Sequence, residues 1–427
     1  MRDILIIVSF FFLPALKAEN FVLQEKGFES YLTLAESKSE VKNIPSNDFN
    51  QEIDLKENIL DSNEDFSNMY FFWKATFEIQ SFTDETKTNG VVSTKIYGEF
   101  KWDLTKELAF QLQALFIGRN GFTQSIYDRR DRSRGLYLLE SFFKWKADSS
   151  YSFQFGNINQ GFLEAPLLMT DKTFPSFILR YHLEDFYNFK SHFLVQGSIP
   201  DNASESVFRE TQVIKGFPSF SVASFNIKNL NSNFDFFNRF TFFHYYNLSQ
   251  AVAERSRIFQ NTVERTGSDS IFKYDYYGFH NHIKITKRFL NDSFLKGDWA
   301  GEWGLEYIHN LGASSHINEG YRTYLRLYHN FNHFVELIGE LENFLNQSNS
   351  SVAYYNSEFY GHNGRKGFAL KMQAHFYDSN LNLGVSLVNS KPIDEDDKTV
   401  IGPSTAFQVF LTTNRIGVLD NRRIKDE

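Results

Sequence analysis

From Met69 onward the chain alternates apolar and polar residues with a period of two. Phe71, Trp73, Ala75, Phe77 and Ile79 fall on one side of the first such segment, and Lys74, Thr76, Glu78 and Gln80 on the other. Ile96, Gly98, Phe100 and Trp102 oppose Lys95, Tyr97, Glu99 and Lys101, and far downstream Trp299, Gly301, Trp303, Leu305 and Tyr307 oppose Glu302, Gly304 and Glu306. Strict alternation over ~10 residues predicts strands with one apolar and one polar face. About 16 segments of this kind can be placed between Met69 and Thr413, an even number of the sort a closed antiparallel barrel uses. The connections alternate too. Short turns fall at residues 104–106, 148–150, 185–187, 229–233, 289–293, 332 and 379. Longer loops fall between them at 84–90, 118–134, 157–175, 199–216, 248–272, 310–320, 346–365 and 390–404.

This layout predicts an all-β, transmembrane antiparallel β-barrel of about 16 strands, with short periplasmic turns, long extracellular loops and both termini in the periplasm. The stretch Val352–Gly361 also alternates. Counting it as a strand breaks the parity, so it is assigned to the seventh long loop, as a hairpin rising above the membrane. A secreted soluble β-protein would alternate as well, but with strands of ~5–6 residues. Aromatic clusters near segment ends, such as Tyr70-Phe71-Phe72-Trp73 and Phe242-Phe243 with Tyr245-Tyr246, match the two interfacial girdles of a membrane barrel.

Composition sharpens this picture. The 427 residues contain 48 Phe and 21 Tyr, 17% aromatic in all, which excludes global disorder. There is no Cys, so disulfides and thiolate-ligated metals are excluded. A net charge of -8 argues against a nucleic-acid partner. A mean hydropathy of -0.39 argues against a polytopic helical membrane protein but not against a barrel with a polar lumen.

The ends differ from the body. Arg2 followed by the apolar run Ile4–Leu16 reads as a signal peptide ending at Ala18; as a membrane anchor the run is shorter than the ~20 residues a spanning helix needs. Residues 19–68 form an acidic periplasmic extension with 12 acids against 4 lysines, a difference equal to the charge of the whole chain. It reads as a flexible arm or, more sharply, as a plug, a docking segment or an oligomerisation arm. Residues 69–413 are assigned to the barrel and 414–427 to a polar tail.

The signal, the even strand count, the turn and loop alternation and a longish third loop together resemble bacterial outer-membrane porins. The resemblance is architectural and covers Met69 to about Thr413. It implies a third loop, Asn157-Ile158-Asn159-Gln160-Gly161-Phe162-Leu163-Glu164-Ala165-Pro166 and onward through Asp171 and Lys172 to Pro175, that folds inward to form the constriction. Glu164 and Asp171 would then be constriction acids facing Lys74, Lys95, Lys101 and Lys144 on the nearby wall. The apolar run Leu167-Leu168-Met169 is unlike a purely polar eyelet and would instead pack the loop against the wall. Porins end on an aromatic residue that closes the last strand. Here Ala406–Leu411 is followed by a polar tail, so either Phe410 serves internally or the last strand extends through Ile416 to Leu419.

The alternation places Lys74, Lys95, Lys101, Lys144, Arg180, Arg239, Arg322 and Arg326 on the lumen wall, with acids such as Glu78, Glu140, Glu302, Glu306 and Glu340. Mixed charge across a water-filled channel favours polar solutes without a strong ion preference; if the charges pair off instead, they make a sealed polar interior. Arg129, Arg130, Arg132 and Arg134 in the second long loop suit lipopolysaccharide phosphates. Asp394-Glu395-Asp396-Asp397 has no EF-hand spacing and reads as a solvated acidic run. His280 and His282 share a strand face, but no nucleophile accompanies them, so no enzyme activity, metal or cofactor is expected. The reading is a channel for passive diffusion of small polar solutes, homo-oligomeric by the resemblance and embedded in outer-membrane lipid and lipopolysaccharide. A closed barrel with a structural, adhesive or lipid-organising role is the alternative.

Overall fold

The computed structural model describes residues 68–84, 88–121, 134–148, 150–170, 172–183, 188–200, 217–230, 234–262, 264–266, 269–271, 273–289, 298–313, 316–331, 334–356, 360, 362–377, 379–393, 402–413 and 416–420. The signal, the acidic extension, Arg129, Arg130, Arg132, Asp171 and residues 394–397 lie outside them.

The first strands are β1 (Asn68–Asp84), β2 (Thr88–Asp103), β3 (Leu108–Gly121), β4 (Arg134–Lys146) and β5 (Tyr151–Asn159). They continue as β6 (Thr173–His182), β7 (Phe189–Ser198), β8 (Ser219–Leu230) and β9 (Phe234–Tyr246). A helix, α1 (Gln250–Ile258), and a small hairpin, β10 (Glu264–Thr266) with β11 (Asp269–Ile271), follow. The barrel resumes with β12 (Tyr276–Phe289), β13 (Asp298–Asn310), β14 (Glu319–Phe331), β15 (Val335–Asn346), β16 (Arg365–Phe376) and β17 (Leu381–Pro392). It ends with β18 (Ser404–Thr413) and β19 (Ile416–Asp420).

Each strand pairs antiparallel with its neighbour along the chain, and β9 pairs with β12 across the helical insertion. The ring closes because β1 pairs with β2 on one edge and with β18 and β19 on the other. β18 and β19 are two pieces of one stave, so the barrel has 16 staves. Closure satisfies every edge, which is what allows strands to cross a membrane. No helix among the described residues is long and apolar enough to do so.

The two faces of the strands are solvated differently. Phe77, Ile96, Phe116, Leu138, Phe155, Phe242 and Leu341 all stand exposed on the outside, where lipid chains are their solvent. The alternate positions point inward, and many are buried polar groups: Thr76, Glu78, Lys95, Gln196, Asn226, Arg239, Glu306 and Arg322. One register shift, between Gln113 and Ala114 opposite β4, turns both Leu139 and Glu140 toward the interior.

Four expectations are corrected by this architecture. Residues 84 and 88–90 of the first long loop belong to strands, with Thr83 paired to Thr88. The third loop is shorter than 157–175, since pairing continues to Asn159 opposite Thr173. Residues 352–356 are a turn, not part of a hairpin above the membrane, and they are buried. The barrel does not stop at Thr413: of the two endings the sequence left open, the last strand extends, as β19, which pairs Ile416–Asp420 with Tyr70–Trp73 of β1. Phe410 points inward with its ring over Gly384, where a Cβ would lie 2.0 Å from it, so this ring is not part of the outer girdle.

Candidate functional site: the inward loops and the lumen wall

The third loop leaves β5 through a 3-10 turn, Gln160–Leu163, capped by the Asn159 side chain, which accepts a hydrogen bond from the Gly161 amide at 2.8 Å. Asn159's own amide donates to Glu140 Oε1 at 3.0 Å, so the inward turn of Glu140 on β4 helps set the loop's departure. Glu164 then adopts a left-handed conformation (φ 46°) that reverses the chain toward the far wall. Gln160 is held from behind, accepting from Gln196 and donating to Ser176 Oγ at 3.2 Å.

The loop crosses the lumen and is fastened to the opposite side. Arg239 of β9 donates to the carbonyls of Phe162 (3.0 Å) and Leu163. Lys284 of β12 forms an ion pair with Glu164 at 2.6 Å. Glu306 of β13 accepts from the Leu167 amide at 3.0 Å. Leu167, Leu168 and Met169 are at most 1% exposed, so burial fastens the loop as firmly as its polar bonds.

Two further loops share this core. Thr170 donates through its amide (2.9 Å) and hydroxyl (3.1 Å) to the Tyr355 carbonyl, and Ser351 Oγ donates to the Leu167 carbonyl at 2.7 Å. Tyr355 lies edge-on to Phe174 (5.3 Å between centroids) and parallel to Tyr245 (5.6 Å). From the fifth loop, the Asn261 amide group donates to the carbonyls of Ser348 (2.6 Å) and Ser351 (2.9 Å), and its oxygen accepts from Ala353. Phe259 stacks on His362 at 4.2 Å. Buried amides that satisfy one another in this way specify a single packing. Loops three, five and seven are therefore one body inside the barrel.

Burial alone would raise the Glu164 carboxyl. The Lys284 ammonium and the Arg239 guanidinium outweigh it and hold the group below the usual carboxylate range. Burial, helped by Lys172, pushes the His362 imidazole down to about 3, so it is neutral in the packed loop.

All eight sequence-predicted wall bases lie on inward positions, but the geometry changes their roles. The predicted partners of Glu164 are wrong: the loop reaches Lys284 and Arg239, not the β1–β4 side. Lys95 pairs instead with Glu78 (2.9 Å) and Lys101 with Asp103 (3.1 Å). Lys74 lies over the Tyr97 ring, and Arg180 over Phe162. Lys144 is half-buried on β4. Arg322 bridges Glu306 and Glu342, both at 3.2 Å. Arg326 pairs with Glu302 (2.9 Å) and Glu340, and Lys371 joins Glu340 (2.8 Å) to Glu342. Lys172 sits over the Tyr354 ring at 5.3 Å.

Sequence reasoning missed Tyr355, Asn261 and the seventh loop's part in packing the third loop. The signal was Tyr354-Tyr355 inside an otherwise Asn- and Ser-rich stretch, an apolar payload that a solvated loop does not need. His280 hydrogen-bonds Glu306 at 3.0 Å, and among the described residues no cluster of His, Asp or Glu has the geometry of a metal site.

A closed 16-stave barrel with an apolar exterior and a loop folded inward is a porin-like, outer-membrane-type β-barrel. OprB of Pseudomonas putida shares this fold, with a TM-score of 0.55 at 10% identity over 81% of this chain and 94% of that one. OccAB1 of Acinetobacter baumannii superposes with a TM-score of 0.47 (9% identity, 83% and 97% covered). OmpF of Salmonella typhi does so with 0.46 (11% identity, 84% and 100% covered). No family model and no curated protein matches the chain in sequence.

Proposed function

We propose that the protein is an outer-membrane channel for passive diffusion of small polar solutes, narrowed by its inward loops. The observation that carries this reading is the third loop, hung across the lumen between β5 and the β9–β13 wall by Arg239, Lys284 and Glu306. A barrel of this strand number is wide enough for a water-filled path beside such a loop. Glu164 and Lys172 belong to the constriction, and the lumen-wall bases set its field. The same reading includes a homo-oligomer in the membrane plane and phosphate contacts from Arg129, Arg130, Arg132 and Arg134.

A closed barrel with a structural role is the second reading. It is favoured by one observation: loops three, five and seven share a buried core that includes Leu168, Val252, Val352 and Tyr355. Single-channel recording in a planar bilayer separates the two. Steady steps of conductance support the channel; a folded but silent barrel supports the plug.

A further inference from the structure

On the outer face of β9 and β12 the apolar band is interrupted by two amides. Arg239, His280 and His282 are buried on the inner face, so the alternate positions Asn238 and Asn281 point outward. Along β9, Phe234 and Phe236 flank Asn238 on one side and Phe240 and Phe242 on the other. Along β12, Tyr277 and Phe279 flank Asn281 on one side and Ile283 and Ile285 on the other. With apolar outward residues at both ends, the two amides sit inside the hydrocarbon band and not at its edge.

Asn238 Nδ2 donates to Asn281 Oδ1 at 2.7 Å. This bond leaves the Asn238 carbonyl oxygen and both Asn281 N–H donors unused, and among the described residues neither side chain makes another hydrogen bond. Their neighbours across the strands offer none. Ile227 and Ile283 face Asn238, and Phe240 and Tyr307 face Asn281. The Tyr307 hydroxyl is committed to Glu319 at 3.0 Å. Thr323, another outward polar residue, shows the contrasting case, since its hydroxyl returns to the Gly304 carbonyl of its own sheet at 3.2 Å. A polar group left unpaired in lipid is costly, and no water is there to satisfy it.

We propose that the outer face of β9 and β12 is where a second copy of this chain docks, with the Asn238–Asn281 pair at the centre of the contact. The pair is self-complementary. It carries one free acceptor and free donors side by side, so a rotation about an axis normal to the membrane sets the Asn281 donors of each copy against the Asn238 oxygen of the other. Interhelical amides act in this way between membrane helices, where packing in lipid has no hydrophobic drive of its own. Around the amides, Phe242, Tyr277 and Trp303 are exposed and supply the apolar rim of the contact. The inference rests on the homo-oligomer proposed above and assigns it a face.

The test uses the full mature chain in lipid vesicles at low protein density. The chain has no cysteine, so one introduced thiol forms a disulfide only with the same position in another copy. Ile283→Cys lies beside both amides and leaves them intact; Val195→Cys, on the lipid-facing side of β7, is the control. On mild oxidation Ile283→Cys should give at least ~fivefold more covalent dimer than Val195→Cys. Equal yields overturn the inference. If the wild type is then still oligomeric by lysine cross-linking, the oligomer stands with its interface elsewhere; a monomeric wild type sinks both. In an Asn238→Leu/Asn281→Leu background the Ile283→Cys dimer should fall at least ~threefold while the barrel keeps its folded, heat-sensitive gel migration. An undiminished dimer overturns the inference, because the copies would then meet without the amides. Should the leucine pair fail to fold, the comparison of Ile283→Cys with Val195→Cys decides alone. Conductance per barrel is independent of all these outcomes, so the channel is tested separately.

Discussion

On the β13–β16 side of the lumen, Arg322, Arg326 and Lys371 each stand against two carboxylates, and all are buried. On the β6–β8 side, lysine faces lysine and histidine faces histidine, and the strands hold no acid. Both walls follow the same period-two pattern, and both were read from the sequence simply as a polar face. The first wall is built to be stable: its charges neutralise one another and leave little field. The second sets bases opposite bases, so whatever balances them comes from outside those three strands. The third loop lies between them, fastened to the β9–β13 side by Lys284 and Glu306. Polarity in a lumen thus does two different jobs, and only the pairing across strands tells them apart.

The comparison can be broken most forcefully at its paired side. Arg322→Met leaves Glu306 and Glu342 buried with a lost partner and should cost about 3–5 kcal/mol of barrel stability, measured by urea unfolding from lipid vesicles. A loss under ~1 kcal/mol would mean that this wall is not held by its ion pairs. The shared core of the loops comes next. Leu168→Ala should cost about 2–5 kcal/mol through lost burial and the cavity left behind, and should loosen the third loop, read as faster proteolysis within residues 160–172. Unchanged proteolysis would show that the polar anchors suffice.

Acid should act on the loops more weakly. His362 is held neutral, its value about 3 against the ordinary 6.5, so the undocked loop takes up a proton first. Docking is therefore at full strength above about pH 6.5 and weakens as pH falls from there toward about 3. Glu164 has the carboxylate's version of the same sign. Its lowered value stabilises docking above the ordinary carboxylate range, and that contribution is lost as pH falls through and below it. Hydrogen exchange of the seventh loop between pH 7 and 4 should rise in the wild type. His362→Phe should flatten the upper part of that profile; an identical profile would remove His362 from the account. The smallest effect is expected on the basic wall. Lys190→Gln/Lys228→Gln removes two bases that face each other in register and should change stability by no more than ~0.5 kcal/mol. Marked destabilisation would place these lysines among the structural pairs and erase the contrast.

Much of the barrel was legible because a strand's two faces meet two solvents. Alternation in β1, β2 and β13 reports directly which residues face lipid, and the spacing of turns reports the order of the staves. The inward position of the wall bases followed from the same period. What escaped was everything set by contacts between residues distant in the chain. Glu164 meets Lys284, 120 residues away, because the loop spans the lumen, and no periodicity encodes the direction in which a loop folds. Tyr355 is buried because Thr170 and Phe174 come to it, although the short apolar run it belongs to lies in an Asn- and Ser-rich stretch. Phe410 turned inward because Gly384 on the adjacent strand leaves room for its ring.

By itself the sequence determined the alternation, the number of staves and the sign of each lumen position, since these depend on single residues and their nearest neighbours. Only the tertiary structure decided which charges pair and which oppose like charges, because cross-strand register sets that, and a shift of one position moves every side chain to the other face. It also decided that three loops turn inward as one body, because that packing joins apolar and amide groups that stand far apart along the chain.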